Sequence, residues 1–444
     1  MKRTIIKTLS RWKDEKPRKP LILRGARQVG KTYLLQAFGK TDFLHYHYLN
    51  FERDERLGVL FEKDLSPTRI LEELQFYLNA SIDKTRDLVI FDEIQQCPRA
   101  LTSLKYFCEQ MPELAVCAAG SLLGVNLTDV SFPVGKVTFL DLFPMTFMEF
   151  LAGIGKERLV DLLQSHDLSS PFPEIAHEQL WEMWKHYLIV GGLPEAVKTY
   201  RDKLPNSYEA MQAVRTVQRD LLETYMADIA KHSGKINALH IQRLWRNATQ
   251  QLARAQDGSA PKFRFKDAIP GIRGYERLAS PLDWLENARL VLRSSILERA
   301  EIPLAGFASE NRFKLYFFDV GLLGAFSDIK PSQILQYDYG SYKGYVAENY
   351  VAQELRASGL GALYCWEGKT SEVEFLLETA SGVIPIEVKS GQVTMLKSLK
   401  VFEERYQPSK SLVLSAKNIE RRGSRFYLPL YVSGSLTKQF VAGD

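Results

Sequence analysis

Cysteine and histidine are scarce in this chain, with four of the first and seven of the second among 444 residues. Cys97, Cys108, Cys117 and Cys365 show no C-x-x-C spacing and no short-range pairing. His45 and His47 alternate on a strand-like FLHYHYLNF, but no cysteine or acid follows at ligand spacing, which argues against a zinc site. No apolar run approaches the ~20 residues needed to span a bilayer, so no membrane association is expected. The opening MKRTIIKTLSRWKDEKPRKP is basic, yet Ile5, Ile6, Leu9 and Trp12 fall at helical spacing rather than in a block. A docking helix is expected there, not a secretory signal, and with the isolated cysteines this points to a reducing, cytoplasmic setting.

Strong charge of one sign is also missing, since the net charge is only +5. Its distribution is uneven. Between Arg243 and Arg277 eight Lys/Arg (243, 246, 254, 262, 264, 266, 273, 277) face three acids (257, 267, 276), with Phe263 and Phe265 interleaved. Contact with DNA through this segment is the sharper reading, and a solvated helix face or a subunit-packing surface the plainer one. At this length and an ordinary globular composition, about three domains are expected.

The most specific motif is GARQVGKT, Gly25 to Thr32, which matches G-x-x-x-x-G-K-[ST]. It follows a strand-like PLILR and precedes YLLQAFGK with helical periodicity, the context this motif requires. Gly25, Gln28, Val29 and Gly30 would present backbone N–H groups to phosphates, Lys31 would reach the outer phosphates and Thr32 would ligate Mg²⁺. A second strand, LVIFDEI, ends in Asp92-Glu93. Asp92 fits the acid on the Mg²⁺ side, and Glu93 the carboxylate that polarises the attacking water. A third strand, LAVCAAGS, places Ser121 where a polar residue would sense the γ-phosphate. These residues describe a site that hydrolyses ATP.

RGARQVGKT, FDEIQQCP, AGSLLG, FLDLFPMTFMEF and GGLPEAV, in that order, resemble a group of bacterial and archaeal AAA-type ATPases. Those proteins carry a C-terminal domain of unknown function with a nuclease-like fold. The resemblance runs from about residue 1 to 430. It implies an α/β chain: a parallel-sheet P-loop core (1–155), a helical lid (156–235) begun by the Gly191–Pro194 turn, a winged helix (236–335) and a C-terminal α/β restriction-endonuclease-like domain (336–444). It also implies a homo-oligomeric ring in which an arginine before the last core strand serves a neighbour's γ-phosphate. Here that position is Lys136, which supplies charge without the bidentate fork and weakens the ring implication.

Near the C-terminus, VIPIEVKSG (383–391) carries Glu387 and Lys389 on one strand face. Upstream, SYKGYVAENYVAQELRASG reads as an amphipathic helix on which Glu348 shares a face with Val351, Ala352 and Leu355. Glu374 in SEVEFLLE precedes Glu387 by thirteen residues, enough for a hairpin near 380–382 that sets the two acids side by side. A carboxylate on an apolar stripe is costly unless paired or metal-bound. Helix acid, hairpin acid and E-x-K resemble the PD-(D/E)xK nuclease core. That resemblance implies Glu348, Glu374 and Glu387 as ligands of Mg²⁺, or Mn²⁺ in its place, and Lys389 as the catalytic lysine. Lys397 and Lys400 would touch phosphates. Position 374 departs from the usual Asp by one methylene, and the plain alternative is a retained fold whose acids and lysine form a structural ion pair. The expected protein couples ATP hydrolysis to DNA binding and metal-dependent cleavage; the alternative is an ATP-driven switch or adaptor that does not cut.

Overall fold

The computed structural model describes residues 1–120, 133–253, 261–265, 268–269, 271–272, 274–340, 342–391 and 396–441. They divide into two compact units, one of Lys2–Phe143 with Asn287–Arg289, the other of Pro144–Glu286 and Leu290–Asp444 together with Met1.

The first unit is built on β1 (Leu21–Arg24), β2 (Tyr46–Asn50), β3 (Leu88–Asp92), β4 (Ala115–Gly120) and β5 (Thr138–Asp141), all parallel in the order β2-β3-β4-β1-β5. β3 and β4 are buried along their whole length, as expected of uninterrupted apolar strands covered on both faces. Phe51, Phe61, Phe91 and Phe107 form an edge-to-face chain on one face, with centroids 5.7–6.3 Å apart. Each such pair contributes about 0.5–1.5 kcal/mol beyond its buried area. Because all five strands run parallel, the carboxyl ends of β1 and β3 lie on the same edge, where ligands of open parallel sheets bind.

The second unit contains a helical layer, from Phe147–Gly153 to the 26-residue helix Ser207–His232, and a mixed sheet. Its strands are β6 (Val291–Leu297), β7 (Phe313–Phe317), β8 (Leu363–Glu367), β9 (Glu372–Thr379), β10 (Gly382–Val388), β11 (Ser411–Ser415), β12 (Glu420–Arg422) and β13 (Arg425–Pro429). They run in the order β12-β13-β11-β10-β9-β8-β6-β7. Helices Lys235–Ala253 and Tyr275–Asn287 followed by the antiparallel pair β6/β7 supply the elements expected of a winged helix. That pair is not a free-standing wing: β6 also pairs in parallel with β8, so the sheet runs across the expected 335/336 division. The reason is apolar content, since all five β7 residues are buried and β6 is buried at five of its seven positions.

The helix Tyr342–Ala357 differs from its amphipathic reading. Every residue from Tyr345 to Leu355 is buried, so its polar side chains all need internal partners. Asn349 accepts from the Phe317 N–H (2.6 Å) and donates to the Phe317 carbonyl (3.0 Å). Gln353 accepts from the Val320 N–H (2.9 Å) and donates to the Tyr187 hydroxyl (2.8 Å). Glu354 accepts from the Phe147 N–H at 2.9 Å. Burial pushes the Glu354 carboxyl up to about 8, with Glu149 adding repulsion and Tyr187 and Tyr350 also facing it. An unfolded glutamate loses its proton near 4.5, so the native state holds an extra proton between these values. The contribution of this group is complete below about pH 4 and declines as pH rises toward 8. Glu354→Gln keeps the acceptor and removes the titration. Its expected result is a flatter fall of the second unit's melting temperature between about pH 5 and pH 8, read by calorimetry, with equal or higher stability at the alkaline end.

The GGLP turn gains a packing explanation. Gly191 has φ +72, and a Cβ there would lie 2.2 Å from Asp319 Oδ1; one on Gly192 would lie 2.1 Å from the Met145 carbonyl oxygen. Only glycine lets these backbones approach. Asp319 in turn accepts from the N–H groups of Gly192 (2.7 Å) and Leu322 (2.8 Å).

Candidate functional sites

The phosphate-loop site lies at the carboxyl ends of β1 and β3. β1 leads into the loop, and Gly30 (φ +93) opens the helix Lys31–Asp42. Gly25 is required sterically, because a Cβ would meet the Leu142 carbonyl oxygen at 2.3 Å. Gln28 is also left-handed (φ 62), and Val29 is fully buried behind the loop. Arg3 holds the loop through its guanidinium, which donates to the carbonyls of Val29 (3.0 Å) and Phe143 (2.6 Å).

The Lys31 ammonium donates to the carbonyls of Gly25 (3.0 Å) and Ala26 (2.8 Å). Burial pulls its pKa down to about 8 despite the nearby Glu93 and Asp92, so bound phosphates would restore its charge. Thr32 donates to Asp92 Oδ2 at 2.8 Å, joining the two sequence-derived Mg²⁺ residues. A hydroxyl and a carboxylate are hard oxygen donors and fit that ion. Glu93 sits in the left-handed region (φ 51), its N–H donates to Asp92 Oδ1 at 3.1 Å, and Gln95 donates to its carboxylate. Burial raises the Glu93 pKa, as suits a base. The orienting partners on β2 are legible only in three dimensions: the Tyr48 hydroxyl donates to Asp92 Oδ2 (2.7 Å), and Asn50 donates to Tyr48 (3.0 Å).

Ser121 lies outside the described residues. Lys136 is paired with Glu109 at 3.0 Å. It precedes Thr138, which stands beside Leu21, whereas the loop follows Arg24 at the other end of β1. Lys136 is therefore remote from its own chain's phosphate loop, and any role at a γ-phosphate would have to be at a neighbour's.

The second cluster is on the C-terminal sheet. β9 and β10 form a hairpin with Thr379 opposite Gly382 and Phe375 opposite Ile386, and the register continued one step sets Glu374 opposite Glu387. Lys389 Nζ lies 2.7 Å from Glu387 and 3.8 Å from Glu374, and the Val388 N–H donates to Glu374 at 3.0 Å. Burial raises the pKa values of both carboxyls; the charge of Glu387 adds to the rise at Glu374 and that of Glu348 at Glu387, with Lys389 opposing it at both. Glu387 Oε2 is buried without a hydrogen-bond partner among the described residues. An orphaned oxygen facing a second carboxylate suits a hard divalent cation, which needs only one or two carboxylates when a substrate phosphate completes its shell.

Glu348 is placed differently. It accepts from the Tyr316 hydroxyl at 3.0 Å and lies 3.6 Å from Lys314, which also pairs with Glu372. Lys314 is 1% exposed; burial alone would lower its pKa, but Glu348 and Glu372 hold it well above the usual lysine value. Sequence pattern gives no hint of this residue, which appears as one lysine in the apolar strand FKLYF. Among the described residues no three His, Cys, Asp or Glu side chains stand close enough together to hold a metal ion. Glu374, Glu387 and Lys389 converge; Glu348 pairs with Lys314 at 3.6 Å and acts on Glu387 and Lys389 through its charge.

In the basic segment Arg243, Arg246, Lys262, Arg264 and Arg277 are exposed, whereas Arg254, Lys266 and Arg273 lie outside the described residues. Phe263 is a core residue and Phe265 is half-buried, both packed on Phe313 with centroids 5.8 and 5.7 Å away. Phe263 is not free to stack on bases.

A family model described as AAA domain matches residues 17–151, one described as Domain of unknown function (DUF8612) matches 182–333, and one described as Domain of unknown function (DUF4143) matches 343–432. The first unit thus carries a P-loop core of the AAA type. No curated protein matches the chain. Among solved structures, the Walker-type ATPase PABY2304 of Pyrococcus abyssi is similar at TM-score 0.43 and 16% identity, over 71% of this chain and 94% of its own. C. elegans PCH-2 aligns at TM-score 0.29 and 11% identity, over 50% of this chain and 68% of its own. Drosophila ORC bound to DNA aligns at TM-score 0.26 and 16% identity, over 76% and 95%. No helix among the described residues is long and apolar enough to cross a membrane.

Proposed function

We propose that this chain hydrolyses ATP with Mg²⁺ and processes DNA, the C-terminal sheet supplying a divalent-cation-dependent phosphodiester-cleaving site. The observation that carries the cleavage reading is the facing pair Glu374 and Glu387 with Lys389, the residue after β10, at 2.7 Å from Glu387. In this reading Glu374 and Glu387 hold the cation, which stabilises charge developing on the phosphate. Lys389 orients the attacking water or holds its proton. At the ATP site Lys31 grips the outer phosphates, Thr32 and Asp92 hold Mg²⁺, and Glu93 takes the proton of the attacking water. A helical lid, a winged helix and a ring assembly belong to the same reading.

One observation favours a second reading, an ATP-driven adaptor that binds DNA or a protein without cutting. Lys314 already neutralises Glu348, so a cation has one ligand fewer than the nuclease resemblance implies. Incubating the full chain with labelled duplex, single-stranded and branched DNA, in Mg²⁺ or Mn²⁺ and with or without ATP, separates the two. Cleavage that needs the divalent ion supports the first; none on any substrate leaves the adaptor. DNA binding is tested in the same preparation. Replacing exposed Arg243, Arg246 and Arg264 by Ala is expected to lower affinity and to flatten the log–log salt dependence by about one unit for each phosphate no longer neutralised. Unchanged affinity and slope would assign the segment to packing or to a bare solvated surface.

A further inference from the structure

A cavity of about 510 Å³ opens in the second unit between the first turns of the helix Ser207–His232 and the segment 325–335. Neither the ATP site nor the carboxylate cluster uses it. Its size is that of a small-ligand pocket. Arg215, Arg219 and Lys330 line it, against one acid, Asp328. Arg215 is a built-in member: it is 5% exposed, and its guanidinium donates to Gln218 (2.6 Å) and to the carbonyls of Gly321 (2.9 Å) and Ile329 (3.2 Å). Its Nε, also buried, has no hydrogen-bond partner among the described residues. A buried guanidinium without a facing carboxylate in contact is expensive, and an anion in the cavity would offset that cost. Arg219 and Lys330 are exposed at the rim, and the Arg219–Asp328 approach is loose at 3.9 Å. Ser207 and Tyr208, in the first turn of the long helix, also line the cavity.

We infer that this cavity binds a phosphate group, with Arg219 and Lys330 as the contacting cations and Arg215 as the buried charge that makes the site electropositive. The phosphate belongs either to a small phosphorylated molecule or to a nucleic-acid backbone, which share this chemistry.

Pyrophosphate is the probe, titrated calorimetrically into the full chain. Lys31→Ala silences the phosphate loop, and in that background one binding event is expected to remain. Adding Arg219→Ala and Lys330→Ala, both at exposed positions, is expected to weaken it at least tenfold. Asp328→Asn removes the opposing charge at a left-handed position that asparagine tolerates (φ 54), and is expected to tighten binding several-fold. A second arm titrates a 5′-phosphorylated single-stranded oligonucleotide. If the Arg219/Lys330 pair lowers affinity for both probes, the phosphate is part of a nucleic acid; if only for pyrophosphate, the ligand is small. No binding by Lys31→Ala, or binding indifferent to Arg219, Lys330 and Asp328, would overturn the inference while leaving the ATP site untouched.

Discussion

Glu93→Gln is expected to bind ATP as tightly as the unaltered protein and to hydrolyse it at least about 100-fold more slowly, the loss usual for a positioned proton acceptor. The geometry supports such a clean separation. Glu93 holds its left-handed backbone through its N–H on Asp92 and its carboxylate through Gln95, so the isosteric amide leaves the loop and the Thr32–Asp92 pair in place. Lys31→Ala, by contrast, should abolish binding. Its ammonium is buried against the carbonyls of Gly25 and Ala26, and an alanine leaves the outer phosphates without the cation that the loop encloses. Fluorescent-nucleotide binding and phosphate release, measured on both variants, decide the matter. Hydrolysis by Glu93→Gln at the unaltered rate would assign the proton acceptor elsewhere.

Two substitutions on the C-terminal sheet should have opposite effects on stability. Glu387 and Glu374 face each other and repel, and Lys389 is 29% exposed and retains Glu374 if Glu387 is removed. Glu387→Ala is therefore expected to abolish metal-dependent cleavage while leaving the melting temperature in EDTA unchanged or slightly higher. Lys314→Ala removes the cation that the buried Glu348 and the half-buried Glu372 share. Abandoning one partner of a buried ion pair costs about 3–5 kcal/mol, so this variant should melt well below the unaltered protein. If Glu387→Ala melts as low as Lys314→Ala and the unaltered protein cuts no DNA with any metal, the four acids and two lysines are structural ion pairs. The cleavage reading then falls and the ATP-driven adaptor stands.

Local sequence determines the parts of this protein whose chemistry depends on neighbours along the chain. GARQVGKT between an apolar strand and a helix specifies a phosphate loop because its turn, glycines and helix start are contiguous. LVIFDE delivers Asp92 to a strand end through its own apolar run. A thirteen-residue spacing, with a turn at its middle, suffices to set Glu374 opposite Glu387, since a hairpin's register follows from its turn. What only the tertiary structure decides is which distant group answers each buried charge. Tyr48 reaches Asp92 because β2 lies beside β3, and Arg3 reaches the loop from 26 residues upstream of Val29. Glu348 is a carboxylate on a buried helix that the sequence alone reads as amphipathic, and whether a metal or Lys314 neutralises it depends on β7 packing across that helix. Gly191 and Gly192 read as a turn until Asp319 and Met145 are seen pressed against them. A period along the chain encodes which face is buried; the identity of the partner waiting on that face is set by elements dozens of residues away, and no local pattern carries it.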